Sequence, residues 1–190
     1  AVIAVKNNLQ AASYAHLAMH TAQCRSTAGG TRTPGGGPIN FLDFAAMNVR
    51  TKYTQVTFIQ VYMDPVVGKG GRNATKMEHL GAFTKTLGHP WVAVGDWNMH
   101  PSTLADFAEE LGASCRLPEG VSITSTAAEG ALYDYALVSD DAACLLEPRS
   151  GITAVWDGRW KAHAGIVVKL GVGKTRAKQL TPRVPLPFPH

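Results

Sequence analysis

A strand–helix–strand succession in the middle of the chain constrains its fold more than any other feature. Residues 56–63 are rich in β-branched and aromatic residues, which predicts a buried strand. Residues 73–87 predict a helix, because the apolar residues from Met77 to Leu87 are spaced by three or four positions. The apolar run 91–94 predicts a second strand. An α/β layered domain is the architecture that such a succession favours.

Further elements are predicted on both sides of this unit. Residues 102–111 favour a helix that ends at Gly112, and residues 1–20 have mixed helical spacing. Residues 24–38 contain so many Gly and Pro residues that only a loop is expected. Three more apolar runs predict strands: 132–138, 152–156 and 164–170.

Size and composition are those of one globular domain. The chain has 190 residues, of which 45% are apolar, so it can bury a sizeable core. No run of about 18 apolar residues occurs, so no membrane span is expected. The odd number and wide spacing of Cys24, Cys115 and Cys144 argue against a disulfide framework and indicate reduced thiols in an intracellular, cytoplasmic or nuclear protein. The chain begins with Ala1 rather than Met, which indicates a fragment or a processed product.

Basic charge is concentrated near the C-terminus. The net charge is +4, and residues 158–190 carry seven basic residues and no acidic one. A basic tail attracts phosphate-rich partners. A solvated tail without a partner is the alternative, and the sequence leaves both open.

Polar residues follow the apolar run 91–94 directly. Asp96 and Asn98 come after Gly95, and the two-residue period of an extended chain puts them on the same side. Ligands gather beyond the carboxyl ends of strands in α/β sheets, so a carboxylate and a carboxamide here suit a water, a phosphate oxygen or a metal. A turn that merely caps the strand is the alternative. We expect the neighbouring Trp97 to line a substrate cleft.

A carboxylate and a histidine occur beside two later strands. Asp134 lies inside an apolar run, and a buried carboxylate is costly unless it has a partner. His163 lies just before the run 164–170 and is a candidate partner, because a carboxylate that fixes the tautomer of a histidine is a recurring catalytic arrangement. The alternatives are an Asp that faces water on an edge strand and a structural His.

Together, these segments resemble the endonuclease–exonuclease–phosphatase superfamily, whose best known members are DNase-like nucleases. That superfamily has a Tyr at the end of a strand, then Gly-Asp-x-Asn after an apolar strand, then an Asp-Tyr pair, and finally Ser-Asp-His before the last strand. The matches, in chain order, are Tyr62, Gly95-Asp96 with Asn98, Asp134-Tyr135 and His163.

The resemblance implies an α/β (α+β) sandwich of two packed β-sheets flanked by helices, incomplete at the N-terminus. The matching domain would span residues 51–172. A poorly defined segment with a Gly- and Pro-rich loop, residues 1–50, would precede it, and a basic, Pro-rich tail, residues 173–190, would follow it.

The resemblance also implies hydrolysis of a phosphate ester with Mg²⁺ or Mn²⁺. Asp96 would orient or deprotonate the attacking water, and Asn98 would bind the phosphate and position Asp96. Tyr62 would contact the phosphate. His163, held by Asp134, would stabilise the negative charge that builds on the phosphate.

Two departures from the superfamily pattern concern the metal. Ala162 stands where the superfamily has a metal-linked Asp, and an alanine cannot bind a cation. The early Glu ligand is also missing, because no Glu precedes Glu78. Magnesium prefers hard oxygen ligands, and both expected carboxylates are absent. No metal ligand is therefore assigned from the sequence.

Three functions remain open. An active phosphodiesterase would act on nucleic acid, favoured by the basic C-terminal stretch, or on another phosphate ester. A catalytically inactive remnant would bind phosphate or nucleic acid without turnover. An unrelated interaction domain would share the motifs by accident, and its Asp96, Asp134 and His163 would lie far apart.

Overall fold

The computed structural model describes residues 10–13, 44–50, 54–126, 130–149, 151–157 and 162–171. The described strands and helices follow one another along the chain in this order: β1 (Gln10–Ser13), β2 (Phe44–Arg50), β3 (Gln55–Tyr62), α1 (Gly71–Lys85), β4 (Trp91–Asp96), a 3₁₀ helix (Pro101–Leu104), α2 (Ala105–Glu110), β5 (Ala113–Arg116), β6 (Asp134–Ser139), α3 (Asp140–Ala143), β7 (Ile152–Val155) and β8 (Gly165–Val168).

The strands form one large and one small sheet. The large sheet has six strands in the order β1-β2-β3-β4-β6-β5, and the small sheet consists of β7 and β8. Only β3 and β4 are parallel neighbours among the described strands, and α1 is the crossover between them. β6 runs antiparallel to β4, so its first residue lies at the same edge as the last residues of β3 and β4.

The core lies on both faces of the large sheet. On one face, Tyr135 and Leu137 pack with Leu80 of α1 and with α2. On the other face, Ala136 and Val138 pack with residues of β7 and β8. The two sheets therefore pack face to face with helices outside, as the predicted sandwich requires.

Most of the predicted elements are confirmed within one to three residues. β3, α1, β4, β6, β7 and β8 match the predicted runs. The predicted helix 102–111 is present as a 3₁₀ turn followed by α2.

The helix predicted over residues 1–20 is wrong for Gln10–Ser13. These residues form β1, which pairs antiparallel with residues 47–50 of β2. Pairing with a neighbouring strand overrides weak local helical spacing. The rest of that prediction lies outside the described residues, as do the loop 24–38 and the tail 173–190.

β2 was missing from the sequence prediction. Its sequence, Phe-Ala-Ala-Met-Asn-Val-Arg, includes residues that are not typical of strands, yet all seven positions pair with β3. The large sheet therefore begins earlier in the chain than residue 51. Cys115 and Cys144 are free thiols, as predicted, whereas Cys24 lies outside the described residues.

In the described ranges, none of the helices has the length and apolar character needed to cross a bilayer.

Candidate active site

Three predicted site residues form a row across the large sheet. Tyr62 is the register partner of Asp96, and Asp96 is the register partner of Asp134. Register partners on adjacent strands direct their side chains to the same face of a sheet. Alternation along each strand identifies this face as the one that packs against β7 and β8. The row therefore lies at the open rim of the cleft between the two sheets.

Gly95 permits a close approach of β3 and β4 beside this row. A Cβ atom on residue 95 would lie 1.9 Å from the carbonyl oxygen of Val61, a distance that no side chain can occupy. Any larger residue would push the two parallel strands apart. The glycine thus holds Tyr62 and Asp96 next to each other.

Asn98 fixes the loop that follows Asp96. Its backbone has φ 48°, a left-handed conformation that Asn adopts more readily than most residues. Its backbone N–H donates a hydrogen bond to Asp96 Oδ1 at 3.1 Å, and its Nδ2 donates to the carbonyl oxygen of Met63 at 2.9 Å. Asn98 therefore orients the Asp96 carboxylate and ties it to the end of β3.

His163 comes from the second sheet, two residues before β8, and completes the cluster. Its Nδ1 lies 3.0 Å from Asp134 Oδ2, and its Nε2 lies 3.9 Å from Asp96 Oδ2. When Asp134 is ionised it can only accept, so Nδ1 is the donor of this hydrogen bond. Nε2 is then the ring nitrogen that faces Asp96 and the opening of the cleft.

Thr124 supports both partners of the Asp134–His163 pair. Its buried hydroxyl oxygen accepts hydrogen bonds from the backbone N–H groups of Tyr133 and Asp134 at 3.0 and 2.7 Å. Its carbonyl oxygen accepts from the N–H of Ala164, the residue after His163, at 2.7 Å. One threonine thus links the start of β6 to the segment that carries the imidazole.

Burial makes both carboxylates more basic than ordinary aspartates. Loss of water raises the pKa of Asp96, and His163 and the hydrogen bonds from Asn98 oppose this only in part. Burial also raises the pKa of Asp134, as does the negative charge of Asp96, while His163 and Thr124 lower it. A carboxylate with a raised pKa is a better proton acceptor at neutral pH than a solvated one.

The same residues could hold a metal ion. One ligand atom from each of Asp96, Asp134 and His163 lies within 4.8 Å of the other two. Two carboxylates fit a divalent cation such as Mg²⁺, which is usually held by one or two carboxylates, waters and substrate phosphates. Ala162 is an exposed residue with φ 66° beside His163, and its side chain offers no ligand atom.

Tyr62 is held at the rim by a buried lysine. Its side chain is 44% exposed, and the Lys76 Nζ lies 5.4 Å from the centre of its ring. The same ammonium donates to the carbonyl oxygen of Tyr62 at 3.1 Å and to Asp64 Oδ1 at 2.9 Å. Tyr62 is therefore positioned to meet a ligand that enters the cleft.

The prediction that Trp97 lines a substrate cleft is wrong. Its side chain is fully buried, stacks on the ring of Tyr135 at 5.7 Å and donates from Nε1 to the carbonyl oxygen of Tyr135 at 3.1 Å. Side chains alternate between the two faces of a strand. Because Asp96 points to the face that β7 and β8 cover, Trp97 points into the core on the other face of the sheet.

The structure thus brings together the predicted residues Tyr62, Asp96, Asn98, Asp134 and His163. Sequence reasoning missed Thr124 and Lys76. A single threonine in a polar segment carries no signal in the sequence. Lys76 could have been noticed, because it falls on the apolar side of α1 next to Met77, where a lysine needs a partner.

Comparisons with known proteins support the fold. No protein-family description matches the chain. No curated protein sequence matches it either. Among solved structures, the endonuclease domain of TRAS1, a telomere-specific non-LTR retrotransposon, superimposes with a TM-score of 0.61. The match has 16% identity and covers 89% of this chain and 72% of that domain.

Two other similar structures match less of the chain. An endonuclease/exonuclease/phosphatase family protein from Leptotrichia buccalis has 12% identity, a TM-score of 0.47 and coverage of 67% of this chain and 52% of that chain. A Staphylococcus aureus beta toxin mutant with bound magnesium ions has 14% identity, a TM-score of 0.46 and coverage of 65% and 56%. This chain spans about half the length of these two proteins.

The fold is therefore a DNase I-like α/β sandwich, which the TRAS1 endonuclease domain shares. At 16% identity the TRAS1 match supports this fold alone. What the site does has to be argued from its own residues.

Proposed function

We propose that this chain is a divalent-metal-dependent phosphoesterase that hydrolyses phosphodiester bonds of nucleic acid. The observation that carries the proposal is the meeting of Asp96, Asp134 and His163 at one open rim, with separations of 3.0 and 3.9 Å between the imidazole and the two carboxylates. These residues are distant in sequence and come from both sheets, so the fold itself assembles them.

Each residue has a role that its contacts support. Asp96, oriented by Asn98 and made more basic by burial, accepts a proton from the attacking water. His163, with Nδ1 bound to Asp134, directs Nε2 at the phosphate and stabilises the charge that builds there when the ring is protonated. Tyr62 contacts the phosphate from the same rim.

Asp96 and Asp134 are the residues that would hold the metal, with His163 beside them. A divalent cation bound there would neutralise charge on the phosphate. The carboxylate and imidazole roles described above depend on this chain's own groups and can be tested one by one.

Nucleic acid is the preferred substrate for two reasons. The solved domain that superimposes on most of this chain is described as the endonuclease domain of a retrotransposon. The chain is also basic overall, with a net charge of +4, which favours association with a polyanion.

The test is cleavage of plasmid DNA and of single-stranded DNA and RNA by the full chain with Mg²⁺ or Mn²⁺. We expect Asp96→Asn and His163→Ala each to lower the rate about 100- to 10,000-fold. Glu78→Gln, which changes an exposed residue of α1, is the control. Absence of cleavage with both metals, in a folded wild-type chain, would contradict the proposal.

Binding without hydrolysis is a second candidate, and Ala162 favours it. The side chain beside His163 has no ligand atom and no Glu precedes Glu78, so this chain lacks two of the metal ligands in the superfamily pattern. This candidate predicts binding of oligonucleotides that weakens steeply with salt and yields no product. Binding that salt does not change, or no binding at all, would exclude it.

A further inference from the structure

A pocket lined by apolar and hydroxyl-bearing residues lies next to the candidate active site. It has a volume of about 320 Å³, at the lower end of the range for small-molecule sites. Trp156 and Ile123 contribute large apolar side chains that are 42% and 41% exposed. The lining residues are Gly120, Val121, Ser122, Ile123, Thr126 and Trp156.

Backbone contacts join this pocket to His163. The N–H of Thr126 donates to the carbonyl oxygen of Ala162 at 2.8 Å, and Ser125 forms a β-bridge with His163. On the other wall, the β7–β8 ladder ends at the pair Val155 and Gly165. Trp156 comes directly after Val155, and His163 comes two residues before Gly165. Both walls of the pocket are therefore joined to the backbone beside His163.

The chemistry of the lining selects the occupant. Among the lining residues that the structure describes, none carries a charged side chain. The exposed indole of Trp156 offers a flat apolar face, and the hydroxyls of Ser122 and Thr126 offer hydrogen-bonding groups at the edge. A nucleobase has both complementary features, a π face that stacks on aromatic side chains and a polar edge.

We infer that the Trp156 pocket binds a nucleobase of the substrate, next to the phosphate that the Asp96–Asp134–His163 cluster engages. The inference rests on the proposed function, which provides the phosphate of the same strand. It adds that the substrate presents an unpaired base at this point, because a base stacked within a duplex has no free face for Trp156.

Binding in metal-free buffer tests the inference without turnover. The probes are a fluorescent oligothymidylate and the same sugar–phosphate chain carrying base-free tetrahydrofuran residues, and anisotropy gives the dissociation constant. We expect Trp156→Ala to weaken binding of the base-bearing probe about 5- to 100-fold and to leave the base-free probe unchanged. Trp156→Phe, which keeps a ring, should retain most of the affinity.

Two further variants complete the design. Ile123→Ala, in the same pocket, should also weaken binding of the base-bearing probe. Val167→Ala, an exposed apolar residue of β8 outside the pocket, should change neither probe. Thermal melting of every variant establishes that it is folded.

The outcomes separate this inference from the proposed function. If folded Trp156 variants bind both probes as wild type does, or lose both equally, the pocket does not bind a base and the inference is wrong. If wild type cleaves no nucleic acid with either metal but Trp156→Ala still discriminates between the probes, the proposed function fails and the base pocket stands.

Discussion

Removing the charge of Asp134 while keeping its shape tests the pairing at the centre of the site. In the wild-type chain Oδ2 accepts from His163 Nδ1 at 3.0 Å, which leaves Nε2 facing Asp96 at 3.9 Å. Asp134→Asn keeps an oxygen at nearly the same position but removes the negative charge. The imidazole then loses the charged acceptor of its Nδ1 hydrogen bond.

The size of the effect follows from this short contact. At 3.0 Å an effective dielectric constant of about 20 gives a gross attraction of about 5 kcal/mol between full charges. The net value of a hydrogen bond to a charged group is smaller, about 1.5–3 kcal/mol, because both groups lose water. If this stabilisation is needed only in the transition state, Asp134→Asn should lower kcat/KM about 10- to 150-fold.

The free energy of unfolding of Asp134→Asn should not fall along with its rate. Burial raises the pKa of Asp134, so its stabilising contribution is complete only below the pKa of the unfolded chain and is lost as the pH rises through the folded-state pKa. At neutral pH the ionised carboxylate therefore costs folding free energy. We expect Asp134→Asn to melt at the same temperature as wild type or higher.

The assay is the initial rate of cleavage of a fluorophore–quencher oligonucleotide at neutral pH, together with thermal melting. Asp140→Asn, which changes an exposed aspartate at the start of α3, is the control and should match wild type in rate. A folded Asp134→Asn variant with a rate within about twofold of wild type would refute the role given to the Asp134–His163 pair.

The remaining predictions concern the strand contact, the proton acceptor and the metal. Gly95→Ala would put a methyl group 1.9 Å from the carbonyl oxygen of Val61 and should lower the free energy of unfolding by about 3 kcal/mol or more. Gly88→Ala, where an added Cβ would have no atom within 4 Å, should be tolerated. Equal stability of the two variants in urea denaturation would contradict this prediction. Burial raises the pKa of Asp96 above the ordinary 3.8, so the acidic limb of the plot of kcat/KM against pH should lie above that value. An acidic limb at the ordinary value would be inconsistent with Asp96 as the buried proton acceptor. Ala162→Asp introduces a carboxylate at a position with left-handed backbone conformation, which Asp tolerates well. The substitution should lower the Mg²⁺ concentration required for half-maximal cleavage. An unchanged Mg²⁺ requirement would argue against a cation beside His163.

The pairing of Asp134 with His163 was predictable because burying a carboxylate without a partner costs free energy in any protein. A carboxylate inside an apolar strand needs a partner, and the sequence offers a histidine 29 positions later at the start of another strand. The place of Asp96 and Asn98 followed from the tendency of strand ends to gather polar residues. These inferences needed only local patterns and one energetic rule, whereas Tyr62 was predicted only from the resemblance to the superfamily.

Other features depend on contacts that no local pattern encodes. β2 is a strand because β3 lies beside it, and its own residues would not specify one. Thr124 supports the site through backbone groups of residues nine and ten positions away, a relation visible only in the fold. The burial of Trp97, by contrast, could have been deduced, since alternation already set Asp96 toward the cleft.

The most direct test of the account is a crystal structure of the wild-type chain with a non-hydrolysable phosphorothioate dinucleotide. The account predicts that a non-bridging oxygen of the phosphate lies within hydrogen-bonding distance of His163 Nε2, while Nδ1 still donates to Asp134. A phosphate bound away from this rim, or an imidazole turned away from Asp134 in the complex, would contradict it.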